Sequence, residues 1–276
     1  MSEIQKTVYD KLIPANESLE VLTKTFIVDG YKVVAQHNPA RAVSSGAKLD
    51  KATIAKRKCF LCAENRPVDQ PSVGYNENFE ILKNPFPILK KHLTIPLLRH
   101  ERQEILPHFA TMLDLSKDLP DFTLLYNGPK CGASAPDHMH FQAPQYGLTP
   151  LDEKPLSEFD IVDGEIKNFG RKCYVFEGID KQTICKQFET LYNKLEIKDD
   201  EWEPRMNVVA HYIVSTAAWN VWVFARDKHR PSYYEQGRMI SPGVIDMEGI
   251  LVFPKPDDFA AVDEAMIRQI YKEVSI

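Results

Sequence analysis

The stretch GASAPDHMHFQA, residues 132–143, decides the reading because it sets His138, His140 and Gln142 at alternate positions with Met139 and Phe141 between them. On a helix, residues two apart point in widely different directions; on a strand they share a face, about 6.6–7 Å from one another. The spacing predicts a strand that buries Met139 and Phe141 and stands His138, His140 and Gln142 together over a site. The loop before it carries Gly128, Gly132 and Ser134, which allow close backbone approach and offer N–H and hydroxyl donors for phosphate oxygens. A neutral imidazole beside a bound phosphate can attack phosphorus and form a phosphoramidate, dividing one difficult transfer into two easier ones. His140, in the middle of the row, is the better placed nucleophile. The competing reading is an amphipathic strand whose polar residues simply face water.

Working outward, DFTLLYNG (121–128) reads as a buried strand ending at Asn127-Gly128. ERQEILPHFATMLDLSKDL (101–119) has apolar residues at helical spacing, with Pro107 interrupting or restarting the helix. FEILKNPFPILKKHLTIPLLRHERQ (79–103) reads as strand, loop, strand around Asn84-Pro85-Phe86-Pro87, and LEVLTKTFIVDGYKVVAQHNP (19–39) as a strand pair turning at Asp29-Gly30. ARAVSSGAKLDKATIAKRK (40–58) reads as a polar connection. Beyond Pro150 the pattern partly recurs: a strand in RKCYVFEG, a helix in KQTICKQFETLYNKL, two strands in HYIVSTAAWNVWVFA, then a closing strand and amphipathic helix. NVWVFARDKHR echoes HLTIPLLRHER as an apolar strand ending in Arg and His, so two related halves are expected, residues 1–150 and 151–276.

The second constellation is KRKCFLCAENRP. Two thiolates separated by two residues can clamp a zinc ion from a tight turn, leaving two ligands to come from elsewhere, with His92, His100, His108 and His138 as candidates. A redox pair and two unliganded core cysteines remain open beside it, although no compact βαβ setting surrounds Cys59 and Cys62.

Composition excludes several classes. The 276 residues are 43% hydrophobic and 26% charged, ordinary for a globular protein. A net charge of −5 draws the surface toward neither nucleic acid nor anionic lipid, so a polyanionic ligand must be held by a local site. No stretch approaches the roughly 18 apolar residues of a membrane span and the N-terminus has no apolar signal core, so a cytoplasmic protein is expected. Five cysteines, odd in number and irregularly spaced, do not form a secreted disulfide framework.

CFLC, NPFPILKKHLTIPLLRH, NGPKCGASAPDHMHFQ and the spacing among them resemble the histidine-triad (HIT-like) superfamily. The resemblance is to the branch containing galactose-1-phosphate uridylyltransferase, diadenosine tetraphosphate phosphorylase and the nucleoside-diphosphate-hexose phosphorylases. It covers residues 30 to 150 well and the second half more weakly. It implies an α+β fold of two HIT-like halves, antiparallel sheets backed by helices. By similarity to the His-x-His-x-Gln motif, His140 becomes nucleotidylated and Gln142 contacts the phosphate it holds. Cys59, Cys62, His100 and His138 match the uridylyltransferase zinc ligands, which makes the zinc structural. Asn84 sits where the family contacts ribose, and Asn127 and Ser134 match its phosphate-loop positions, beside Gly132 of the same loop; Arg41 and the cluster Arg226, Lys228 and His229 are candidate phosphate contacts.

Hydrolytic members carry a third histidine where this chain has Gln142, so a nucleotidyltransferase or nucleotide phosphorylase is implied. Its substrate would be a nucleoside diphosphate sugar or dinucleoside polyphosphate, and its acceptor phosphate or a sugar phosphate. Met139 replaces the proline common in uridylyltransferases. A histidine-triad hydrolase, a catalytic-metal hydrolase using His138 and His140, and a zinc-stabilised nucleotide- or RNA-binding module are the alternatives. A monomer or a homodimer is expected, with no membrane and no nucleic-acid partner.

Overall fold

The hairpin at the start of the chain shows how local chemistry sets the frame. Strands β1 (Leu22–Val28) and β2 (Tyr31–His37) pair antiparallel across Asp29 and Gly30, whose φ values of 53° and 83° are those of a tight two-residue turn. The computed structural model describes residues 1–14, 19–46 and 50–276. The remaining strands are β3 (Ser72–Tyr75), β4 (Phe79–Lys83), β5 (Leu93–Pro96), β6 (Leu124–Asn127), β7 (His140–Ala143), β8 (Ile161–Val162), β9 (Glu165–Ile166), β10 (Cys173–Gly178), β11 (Met206–Ile213), β12 (Ala218–Ala225) and β13 (Ile250–Phe253). The three-stranded sheet has the order β1-β2-β13, so the C-terminal half closes onto the N-terminal hairpin.

The ten-stranded sheet runs β3-β4-β5-β7-β6-β11-β12-β10-β9-β8. Read inward from either edge, the order is the same: three strands in sequence, then the fifth, then the fourth. The helices Phe109–Asp118 and Lys181–Tyr192 occupy equivalent places, each between the third and fourth strands of its set. The two sets meet where β6 and β11 pair antiparallel. The strand order matches β12 with β7, not with the HLTIP strand β5 whose sequence it echoes. This is the α+β architecture expected: the ten-stranded sheet is antiparallel and backed by helices, while β13 joins β2 in parallel.

Alternation decides which face each strand residue takes. Leu124, Tyr126, Met139, Phe141, Val208, Ala210, Val221 and Val223 face one core together with the two long helices and the helix Glu3–Leu12. Leu125, Val209, Trp222 and Phe224 face a second core completed by the three-stranded sheet and the C-terminal helix Glu264–Val274. Each fully buried ring or branched side chain contributes about 1.5–3 kcal/mol relative to exposure. Over β4, β5 and β7 that second face is covered by residues of the segments 41–45 and 53–70 and by residues 241–252, and a cavity lies between them.

Three local expectations change. Within the connection 40–58, the described residues form a 3₁₀ turn at Pro39–Arg41 and helices at Ala42–Ser45 and Lys51–Lys56, the latter capped by Asp50 accepting from the Thr53 N–H at 2.9 Å. Residues 47–49 of that connection lie outside the described residues. Pro107 opens the helical segment rather than interrupting it: Leu106–His108 is a 3₁₀ turn leading into Phe109–Asp118, since proline has no N–H to give a preceding turn. His138 precedes β7, in a turn where its N–H reaches the Ala135 carbonyl.

Candidate active site and metal centre

The alternation through β7 and the residue before it puts Met139 and Phe141 in the core and aims His140 and Gln142 at the cavity, which has a volume of about 590 Å³. His140 is held by its backbone and by its ring. The Gln103 side chain accepts from the His140 N–H at 2.8 Å and donates to the carbonyls of Asn127 (2.9 Å) and His140 (3.0 Å), filling the gap where β6 and β7 share a single register pair. The ring Nδ1 lies 2.8 Å from the His138 carbonyl. A carbonyl only accepts, so Nδ1 carries the proton and Nε2 keeps its lone pair. Burial drives the imidazole down to about 4, outweighing the His138 carbonyl that favours its charged form. A neutral, oriented imidazole with a free Nε2 results.

Gln142 is oriented as closely. Its Oε1 lies 2.9 Å from His92 Nε2, and His92 Nδ1 receives the Ile88 N–H at 3.3 Å. His92 is thus no metal ligand among the candidates, and neither is His108, whose nearest acid is Glu101 at 3.9 Å. Asn84, Asn127, Gly132, Ser134 and Arg41 all line the cavity. Asn127 Oδ1 is committed to Asn207 Nδ2 at 2.9 Å and the Val244 N–H at 2.7 Å, which leaves its amide nitrogen for a ligand. Gly132 has φ +103°, and a Cβ there would lie 2.6 Å from the Gly243 Cα, so the loop needs glycine for packing as much as for phosphate approach.

The second-half basic cluster is not brought together as a phosphate site. Lys228 is absent from the cavity wall; its Nζ sits 2.6 Å from Glu273. Arg226 is 1% exposed, donates to Asn207 Oδ1 and reaches the carbonyls of Val274, Pro242, Lys228 and His229. Charge at a strand end suggested a ligand contact, whereas this guanidinium ties loops to the C-terminus. His229 does line the cavity, with Ser241 Oγ 2.9 Å from its Nε2; burial, then Arg230 and its cationic neighbours, push it down to about 3.

Behind His140, the residues Cys59, Cys62, His100 and His138 gather with their ligand atoms all within 4.8 Å of one another. Cys59 Sγ is 3.2 Å from His138 Nδ1, and Cys62 Sγ is 3.2 Å from His100 Nδ1 and 3.5 Å from His138 Nδ1. A tetrahedral zinc with bonds of about 2.3 Å to sulfur and 2.0–2.1 Å to nitrogen needs S···N edges of about 3.6 Å. The second shell agrees: His138 Nε2 donates to the Leu97 carbonyl at 2.7 Å, which frees Nδ1 for a metal. Burial opposes the Cys59 thiolate, but the His138 hydrogen bond and nearby N–H groups prevail and lower the thiol to about 6. Burial and the Cys59 charge push Cys62 up to about 12, and a cation would allow both sulfurs to ionise. The donor set fits structural zinc. His138 thus meets the Cys59 and Cys62 sulfurs through its ring and the His140 ring through its carbonyl.

No helix among the described residues is long and apolar enough to cross a membrane. The profile of a family described as Domain of unknown function (DUF4922) matches residues 1–145 of the chain. No curated protein matches the sequence. Among solved structures, yeast Ap4A phosphorylase Apa2 in complex with AMP is similar over 100% of this chain and 98% of its own, with a TM-score of 0.68 at 13% identity. The same enzyme in complex with Ap4A gives a TM-score of 0.61 at 13% identity, with 100% and 98% covered. An ADP-glucose phosphorylase from Arabidopsis thaliana with bound ADP-glucose matches 93% of this chain and 100% of its own, with a TM-score of 0.40 at 13% identity. The whole-chain likeness to Apa2 shows that the two chains share a fold.

Proposed function

The chain belongs to the family described as a domain of unknown function (DUF4922), and we propose that it is a nucleotide phosphorylase or nucleotidyltransferase working through a nucleotidyl-histidine. The observation that carries this reading is the Nδ1–H of His140 on the His138 carbonyl, which leaves Nε2 unprotonated in the wall of a cavity large enough for a nucleotide. The Nε2 lone pair attacks the α-phosphorus of a nucleoside diphosphate sugar or dinucleoside polyphosphate. A P–N bond forms as the bond to the bridging oxygen breaks, and that oxygen leaves with the electron pair as a phosphorylated product. Phosphate or a sugar phosphate then attacks the same phosphorus, and the electron pair returns to Nε2. The His138 carbonyl stabilises the ring while it bears positive charge. The Gln142 amide, the loop at Gly132 and Ser134, and Arg41 are placed to receive charge on the transferring group, the effect that dominates phosphoryl chemistry.

Asn84 is assigned to the nucleoside. Cys59, Cys62, His100 and His138 would hold zinc as a cross-link between the loop carrying the cysteines, the segment after β5 and the turn before β7; with four protein ligands it supplies rigidity rather than a site for water. We read residues 1–150 as the catalytic HIT-like half and 151–276 as a second half that completes the pocket.

The test is to incubate the protein with a panel of nucleoside diphosphate sugars and dinucleoside polyphosphates without acceptor, quench in alkaline denaturant and weigh the intact chain. A mass gain of one nucleoside monophosphoryl group, lost on acid treatment and absent in His140→Ala, is expected, with turnover requiring added phosphate or sugar phosphate. Turnover by His140→Ala at the wild-type rate would overturn the reading.

A further inference from the structure

A glutamine beside a phosphoryl group can present either end of its amide, and the two choices have opposite signs. An N–H donor stabilises the phosphate oxygens; a carbonyl oxygen repels them. What fixes the choice is a residue outside the cavity wall. His92 is 1% exposed and precedes β5, the strand in which Thr94 lies directly opposite Gln142. The Ile88 N–H points at His92 Nδ1 from 3.3 Å, so that nitrogen holds a lone pair. Burial, reinforced by Arg41, pushes His92 down to about 3, so its single proton resides on Nε2. The Nε2–H faces Gln142 at 2.9 Å and requires an acceptor there. Oε1 must therefore turn toward His92, and the NH₂ group toward the cavity.

The geometry points to His92 as a positioning residue that locks the Gln142 amide with its donors toward the transferring phosphoryl group. This inference rests on the phosphoryl-transfer reading of the site. It also links the two ends of the cavity. The His92 carbonyl accepts the Asn84 N–H at 2.8 Å, and Asn84 Oδ1 accepts the Phe86 N–H at 2.8 Å. The same histidine thereby holds the loop assigned to the nucleoside through its backbone and the phosphate-facing amide through its ring. An amide held in this way offers no acceptor to a water molecule on the cavity side, which suits transfer to a phosphate acceptor better than hydrolysis.

Two measurements test it. Long-range ¹H–¹⁵N NMR of the imidazoles should show His92 as the neutral Nε2–H tautomer from pH 5 to pH 8, a result that does not depend on any substrate; the Nδ1–H tautomer would overturn the inference on its own. The second is a double-mutant cycle on nucleotidyl transfer from a nucleoside diphosphate sugar to phosphate, with AMP and UMP affinity as parallel readouts. His92→Phe should lower kcat about 10- to 100-fold with KM little changed, as expected for a lost or reversed phosphoryl donor. His92→Gln, which can donate to Gln142 and accept from Ile88, should recover most of the loss. In a Gln142→Ala background, His92→Phe should cost less than about twofold. Full multiplication of the two effects would mean His92 acts only through the fold and would overturn the proposal. Absence of turnover by the wild type on every substrate would instead count against the phosphoryl-transfer reading, while the tautomer and the coupling in AMP and UMP affinity would still decide the role of His92.

Discussion

Replacing Gln103 by methionine separates what holds His140 from what fills the core. Gln103 is 0% exposed, its side-chain volume is close to that of methionine, and a volume-conserving swap alone costs under about 1.5 kcal/mol. What methionine lacks is the three-way clamp: acceptance from the His140 N–H at 2.8 Å and donation to the Asn127 and His140 carbonyls at 2.9 and 3.0 Å. β6 and β7 pair at Leu125 and Gln142, so at Asn127 and His140 the ladder has already opened and these groups have no strand partner to fall back on. Each buried backbone group left without a partner costs about 1–3 kcal/mol, so three at the low end amount to about 3 kcal/mol. At about 2–4 °C per kcal/mol for a chain of this size, the melting temperature should fall by about 6–12 °C. Differential scanning calorimetry at neutral pH measures that directly, and the rate of nucleotidyl transfer should fall with it because the ring of His140 is carried by the released backbone. A Gln103→Met protein melting within about 2 °C of wild type would show that the clamp contributes nothing and that packing alone holds β7.

Gly132→Ala should lose stability and nucleotide affinity together, since its Cβ would meet the Gly243 Cα at 2.6 Å at a φ of +103°; an unchanged melting curve would mean the two loops part without cost. Cys62→Ser should abolish zinc retention and lower the melting temperature, while the wild type should purify with about one zinc per chain by elemental analysis. Glu203 sits between the Tyr126 hydroxyl at 2.6 Å and the Ile105 N–H at 2.9 Å, and burial raises its carboxyl from 4.5 to about 8. The folded protein then holds a proton that the unfolded chain has released, so this group's contribution to stability declines as pH rises through that window and levels off above it. The melting temperature of Glu203→Gln minus that of wild type should therefore grow from pH 5 to pH 8, and a constant difference would contradict the assignment.

The parts of the fold legible in the sequence are those where one short-range rule decides the outcome. Asp29-Gly30 could turn only one way between two apolar-alternating runs, and β7 alternates because one face must join the core. His140 and Gln142 were readable for that reason. Gln103 was not: it lies in RHERQEIL, a charged run that reads as solvated surface, and its role depends on a gap between strands that form later in the chain. Nor were the places of Lys228 and Arg226, because nothing local tells which of two nearby cations will find five carbonyl and amide oxygens around it and which a glutamate. His92 was legible only as one histidine among four candidate ligands; its task follows from the Ile88 N–H, a backbone group with no sequence signature. The helix Glu3–Leu12 forms because Ser2 caps it and Val8 and Leu12 have a core to enter, which its own weakly apolar sequence does not announce.

The recurrence of strand order across β6 and β11 explains why the chemistry is one-sided. β7 and β12 occupy equivalent positions, but β7 alternates core residues with His140 and Gln142, whereas β12 is buried on both faces and carries Trp219, Asn220, Val221, Trp222, Val223 and Phe224. The face that holds His140 and Gln142 in β7 is filled in β12 by Trp222 and Phe224, which pack into the second core instead of lining a cavity. The second set of strands contributes instead through position: Asn207 on β11 holds Asn127 at the end of β6, and Arg226 beyond β12 holds Asn207. The same Asn127 oxygen receives the Val244 N–H, which brings the segment 241–246, the start of the short helix Val244–Met247 included, over the cavity. The polar chain from Arg226 through Asn207 and Asn127 to Val244 thus runs from the scaffold half into the wall of the site. The strand ends of the second set thus brace the cavity wall built on the first.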